Sequence, residues 1–213
     1  MKRKTNSTKS QKHSYVTRLR QVLRIAGVAF ILVIIAEIAQ GASLPDAAAA
    51  QFVQKLGNEA LTARNLSVDA RSRKVVSLIR DNIDIEAVGR FMLGPYWRNA
   101  TVTQRERYLN LLQAQLVKTY ERRFGGQSFR VEKVVPAGAA GGDLLVDSEI
   151  GQTNGRPPVA VEWRVHEYQG QMKITDIVVD GISMTVQRRG DFASIIERNG
   201  GNIEALLTAL ESN

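Results

Sequence analysis

The feature that most restricts the fold of this 213-residue chain is a change of period at Gly125-Gly126. Before it, apolar residues recur at helical spacing; after it, they alternate. The segments "SFRVEKVV", "DLLVDSEI", "PVAVEWRVHEY" and "QMKITDIVVDGISMTVQ" read as strands, separated by the turns "PAGAAGG", "QTNGRP" and "QG". A last segment, "DFASIIERNGGNIEALLTAL", returns to helical spacing and is interrupted at Gly200-Gly201. Helices first, antiparallel strands next and a closing helix predict an α+β domain, with helices packed on one face of a curved antiparallel sheet.

Within the first half, Phe52, Val53, Leu56, Ala60 and Leu61 predict a helix from Pro45 to Arg64, and Val75, Val76, Leu78 and Ile79 a second from about Ser67 to Asp81. Asp84 suits the cap of a short third helix that Gly94-Pro95 stops. Thr103 followed by Glu106 predicts a capping box. Behind it Tyr108, Leu112, Leu116, Tyr120 and Phe124 fall four apart on one face of a long helix. Tyr96 and Trp97 stand on the Gly-Pro break, as a core plug or as the border of a pocket mouth.

The strand pattern also fixes faces. Val159, Val161, Trp163 and Val165 share one side, and Glu162, Arg164 and His166 the other. With Gln169-Gly170 as a two-residue turn, Val165 opposes Ile174, Trp163 opposes Asp176 and Val161 opposes Val178. Asp176 then lies on the apolar face. It either accepts hydrogen bonds from the Trp163 indole or a nearby amide, is turned away by a bulge, or acts as an acid or base at a cavity floor.

Charge narrows the function. The formal charge is +8, but residues 1–41 hold eight basic side chains against Glu37 alone, so residues 42–213 carry 21 basic and 20 acidic residues, a net of +1. A neutral body lacks the basic face that nucleic acid requires. The leader places basic residues before "IAGVAFILVIIA" and then "AQGAS", the three-part order of a secretory signal whose apolar core is shorter than the ~20 residues of a membrane span. Residues 1–41 therefore form a signal peptide cleaved near Gly41 or Ala42 or, given Glu37 and the long basic segment, an uncleaved inner-membrane anchor; residues 42–213 form a single domain. The chain has no cysteine, which excludes a lipoprotein anchor, disulfides and thiol chemistry. Beyond the leader His166 is the one histidine, so no metal cluster and no Ser-His-Asp system is indicated. "GGD" at 141–143 lacks the lysine and helix of a phosphate loop. The pairs Arg122-Arg123 and Arg188-Arg189 read first as solvated surface.

Three segments, "LGPYWRNATVTQRERYLNLLQAQLVKTY", "NGRPPVAVEWRV" and "ITDIVVDGISMTVQRRGDFASIIERNGGNIEALLTAL", resemble the MlaC (toluene-tolerance auxiliary) family over most of the chain from about residue 70. Residues 42–70 and the long basic leader depart from the family pattern, which leaves a hopanoid-associated branch open. The resemblance implies an NTF2-like cone with an interior open to acyl chains, and a periplasmic carrier of phospholipid, or of a hopanoid-like lipid. Its implied partners are an inner-membrane MCE protein with its ABC transporter and an outer-membrane lipoprotein-porin complex, and it implies no enzymatic activity, cofactor or metal. On that expectation Tyr96, Leu112, Leu116, Tyr120, Val159, Val161, Trp163, Ile174, Val178 and Met184 are the candidate lipid-binding residues, and Arg188 and Arg189 the candidates for partner docking. The alternative is a small-ligand enzyme of NTF2-like type with Asp176 as its base.

Overall fold

In the computed structural model, residues 45–121, 127–138, 142–153 and 155–212 are described. The leader, Arg122-Arg123 and Phe124 lie outside them. Helices α1 (Pro45–Ala63), α2 (Val68–Asn82), α3 (Ile85–Leu93), the single turn α4 (Tyr96–Asn99) and α5 (Val102–Glu121) precede the strands. Five strands follow, β1 (Ser128–Pro136), β2 (Leu144–Gly151), β3 (Val159–Tyr168), β4 (Gln171–Val179) and β5 (Ile182–Ser183), and then α6 (Met184–Arg198) and α7 (Ile203–Ser212). The strands form one antiparallel sheet in chain order, the outcome of joining neighbours by short connections.

Local chemistry accounts for most boundaries. Ser67 and Asp84 cap α2 and α3, their side chains accepting from the amides of Ala70 and Ala87. The capping box of α5 lies two residues before the predicted one. Thr101 Oγ1 accepts from the Gln104 amide at 3.2 Å, and Gln104 Oε1 accepts from the Thr101 amide at 3.0 Å. Thr101-x-x-Gln104 satisfies the same rule as Thr103-x-x-Glu106, and the earlier pair is the one at the helix start. The reading of "ISMTVQ" as strand also fails after Ser183. The Ser183 hydroxyl accepts from the Val186 amide and starts α6 at Met184.

Gln169 and Gly170 have φ of 52° and 75°, the positive pair of a type I′ turn, and Tyr168 opposes Gln171 as counted. Val165 opposes Ile174, also as counted. Beyond that point a bulge at Thr175 shifts the register, so Arg164 opposes Asp176, Trp163 opposes Ile177 and Val161 opposes Val179. The expected pairs Trp163 with Asp176 and Val161 with Val178 do not form. One extra residue exchanges the faces of everything downstream, and Val178 opposes Glu162 on the charged side.

The two faces then separate cleanly. Opposed pairs share a face, so the inner one carries Phe129, Val131, Val134, Leu144, Val146, Ser148, Ile150, Val159, Val161, Trp163, Val165, Ile174, Ile177 and Val179. The outer one carries cross-strand ion pairs such as Arg130 with Glu149 at 3.3 Å and Lys133 with Asp147 at 3.1 Å. Helix α1 lies on the inner side at the β1 edge. The Gln54 amide donates to the Phe129 carbonyl at 3.2 Å and its oxygen accepts from the Val131 amide at 3.0 Å, so one side chain stands in for a neighbouring strand. Gly57 allows this approach, because a β-carbon there would collide with the Phe129 ring.

Two packed clusters hold the fold. The helical one joins Val88, Met92, Leu93, Tyr108, Leu112, Phe192, Ile196, Leu206, Leu207 and Leu210, with Tyr108 and Phe192 edge to face at 6.1 Å. Burial pushes the Tyr108 phenol pKa upward, and its hydroxyl donates to the Gly89 carbonyl at 3.2 Å. The sheet cluster joins Ala49 and Val53 of α1 to Leu144, Val146 and Val165. At ~1.5–3 kcal/mol for each fully buried large apolar side chain, the helical cluster is the larger stabilising unit.

Candidate functional site

The two clusters share no residue, although both are built from the same apolar faces. Val75, Leu78 and Ile79 of α2 and Val161 and Ile174 of the sheet are buried but belong to neither. These five are inward-facing positions outside both packed clusters.

Burial across the inner face is graded. One end of the sheet is defined by the pairs Pro136 with Leu144 and Leu144 with Val165, the other by Ser128 with Gly151, Ile150 with Val159 and Val161 with Val179. At the first end Leu144, Val146, Val165 and Ile174 are buried. At the second Ile150, Val159, Ile177 and Val179 are only half-buried, while Ser148 and Val161 between them remain buried. Helix α5 repeats the gradient, with Tyr108 and Leu112 buried and Leu116, Val117 and Tyr120 half-buried. Helix α1 shows it less cleanly: Leu56, Ala60 and Leu61 are half-buried, and Ala63 in the last turn is buried again. Apolar faces directed inward yet left incompletely covered at one end are what a binding interior requires.

Of the sequence-derived candidates, Val159, Val161 and Trp163 stand on the inner face of β3, and Ile174 on that of β4. The Trp163 indole donates to Ser148 Oγ at 2.8 Å, and that hydroxyl donates to the Val161 carbonyl at 3.0 Å, so the polar groups of this face are satisfied. Leu116 and Tyr120 lie at the less covered end of α5, Leu116 packed against the edge of the helical cluster. Leu112 belongs to the helical cluster. Tyr96 and Trp97 pack against that cluster too, Arg105 lying over the Trp97 ring at 5.2 Å. The Tyr96 hydroxyl donates to Glu197 at 3.3 Å, and desolvation together with that carboxylate raises its pKa. Val178 is on the outer face, for the reason of the bulge. Met184 is half-buried in the first turn of α6. Ile177 and Val179 take the inner positions that an unbulged count gives to Asp176 and Val178; Thr175, the extra residue, carries no sequence signal that would have shown this.

Asp176 is buried and its carboxylate is fully engaged. Oδ1 accepts from the amides of Ile177 at 2.8 Å and Thr185 at 3.1 Å, and Oδ2 accepts from the Ser183 hydroxyl at 2.6 Å. An anion at the first turn of α6 also meets the positive end of the helix dipole. The group fixes the β4–β5–α6 junction, and its lone pairs are directed there rather than into the interior; the indole named as a donor is occupied elsewhere. Arg188 and Arg189 are exposed, the latter lying over the Phe91 ring at 5.1 Å. An open groove of about 840 Å³ lies at the sheet edge between α1 and β1, and its rim is charged through Lys55, Glu59, Glu132 and Lys133. It includes none of the candidates.

Comparison with known proteins bears on this arrangement. A solved phospholipid-binding protein from Ralstonia solanacearum, in complex with a phospholipid, superposes with a TM-score of 0.64 at 21% identity, covering 76% of this chain and 94% of that one. The intermembrane phospholipid transport system binding protein MlaC of Haemophilus influenzae is 22% identical over 135 residues, and the match spans 62% of each chain. The family model described as MlaC protein matches residues 38–212. A match of that extent places all of the sheet, both clusters and the graded interior within one family pattern, and the chain belongs to the MlaC family.

Proposed function

We propose that this chain is a non-enzymatic carrier that holds the acyl chains of a membrane lipid between its two packed clusters. The observation that carries the proposal is the fall in burial along the inner face, from Val165 and Ile174 to Val159, Ile177 and Val179. Leu116, Tyr120, Val159, Ile177 and Val179 form the lining nearest the open end, and Val161, Trp163 and Ile174 the deeper wall. The phospholipid named for the relatives supports this cargo class.

The physical logic is a transfer between two apolar environments. Removing two acyl chains of ~15 carbons each from water is worth more than ~20 kcal/mol at ~0.8 kcal/mol per methylene. A bilayer offers nearly the same, so exchange is close to balanced. In this reading residues 1–41 direct export to the periplasm, the domain from residue 42 carries phospholipid or a hopanoid-like lipid, and transfer runs between an inner-membrane MCE protein with its ABC transporter and an outer-membrane lipoprotein-porin complex. Arg188 steers docking, since rim charges chiefly accelerate encounter; Arg189 contributes less, being stacked on Phe91. The test is organic extraction of the purified protein followed by lipid mass spectrometry. Stoichiometric phospholipid or hopanoid is the expected result, and protein free of lipid from several expression conditions would refute the proposal.

A further inference from the structure

The less covered end of the interior carries its own surface chemistry. Helix α1 crosses β1 at Phe129 and Val131 and ends beyond it, so the α1–α2 loop stands at the end of the sheet formed by Ser128, Gly151, Val159 and Val179. Leu66 of that loop and Val68, the first residue of α2, are 41% and 77% exposed. At the β5 edge of the same end, Ile182, which opposes Val179, is 56% exposed, and Val186 one turn into α6 is 57% exposed. Leu66 and Val68 on one side and Ile182 and Val186 on the other are thus two separated pairs of water-exposed apolar side chains toward the less covered end.

These side chains are not loose. The Arg71 guanidinium donates to the carbonyls of Arg64 and Leu66 at 3.1 and 3.2 Å, bracing the loop with Leu66 and Val68 outward. The charge around them is unbalanced. Arg64, Arg71, Arg73 and Arg156 stand in the loop, the first turns of α2 and the β2–β3 turn, against Asp69, Asp180 and Glu149, and Glu149 is already paired with Arg130. Arg73 and Arg156 have no carboxylate partner among the described residues. Braced aliphatic tips flanked by unpaired arginines match an anionic lipid surface: the tips enter the headgroup layer while the guanidinium groups remain with phosphate. Isolated tips suit a bilayer better than a protein partner, which rewards one contiguous apolar patch.

We propose that this rim docks directly on anionic phospholipid headgroups, holding the carrier at the membrane surface beside the complexes with which it exchanges cargo. The proposal deepens the carrier reading and rests on it for its purpose, while the docking is measured independently of cargo. Because the chain has no cysteine, Val68→Cys and Val186→Cys in the full chain each accept one environment-sensitive fluorophore, and Tyr168→Cys, at the β3–β4 hairpin of the opposite end, serves as control. With vesicles of phosphatidylglycerol and phosphatidylcholine, the emission at 68 and 186 shifts to the blue and that at 168 does not. Attachment through the leader alone would not distinguish the two ends.

Adding Arg73→Gln and Arg156→Gln lowers the apparent partitioning at 68 by roughly fivefold for each arginine removed, and pure phosphatidylcholine vesicles give a similarly weak response. Equal responses at both ends, or none at 68 and 186, would overturn the proposal. So would a response at 68 and 186 that appears only when an acidic protein replaces the vesicles. Lipid mass spectrometry on the same preparations tells the two readings apart: bound lipid without rim insertion removes the docking proposal and leaves the carrier.

Discussion

Leu112 and Leu116 stand one turn apart on the same face of α5 and both meet the helical cluster, yet Leu112 is buried within it and Leu116 is only half-buried against it. Around Leu112 the helices α3, α6 and α7 supply a complete set of neighbours; around Leu116 the covering thins, as it does on the sheet from Val165 to Val159. The same apolar stripe is spent on stability in one half and left available in the other. An apolar face is therefore not evidence of a core until the element covering it is known.

The largest effect should come from breaking the closed half. Phe192→Ala in the helical cluster is expected to cost ~3–5 kcal/mol, read by denaturant unfolding, with lipid per folded molecule unchanged. Loss of lipid without loss of stability would reverse the assignment of the two halves. Asp176→Asn keeps the shape of the α6 junction and weakens its charge-assisted hydrogen bonds, so a loss of ~1.5–3 kcal/mol is expected with lipid content intact. A variant of normal stability that no longer retained lipid would instead return Asp176 to the interior.

The comparison sharpens with one substitution made at both ends of the sheet. Val165→Trp overfills a packed site and should destabilise by ~1–3 kcal/mol or more. Val179→Trp should leave the melting temperature of the delipidated protein nearly unchanged while lowering the lipid it retains. If both destabilise alike, the second end is solid core. The smallest effect concerns the start of α5, where Thr101→Ala should cost ~1 kcal/mol and Thr103→Ala less than ~0.5 kcal/mol. Equal losses in thermal unfolding would restore the capping box to Thr103.

Much of this was legible before any coordinates. The helix predicted over Pro45 to Arg64, the cap at Asp84, the strands and the Gln169-Gly170 turn follow from spacing and turn chemistry, because those are local preferences of a few adjacent residues. The errors share one cause. Thr101 and Thr103 offer equivalent caps, "ISMTVQ" suits strand or helix, and one unpaired Thr175 moves Asp176 and Val178 to the other face. In each case two local solutions were nearly equal, and contacts with distant residues chose between them. Of the candidate lining, the inward positions Val159, Val161, Trp163 and Ile174 are legible from alternation, while Ile177 and Val179 are hidden by the bulge.

By itself, the sequence determined the order of elements, the antiparallel meander, the neutral charge of the body and which strand residues alternate, since each is written in period, turn type or composition. Only the tertiary structure decided that the core divides in two, that the carboxylate of Asp176 is consumed at a helix start, and that burial fades toward one end of the sheet. These depend on how far one element reaches across another, and a period records which way a side chain faces without recording whether anything lies opposite to cover it.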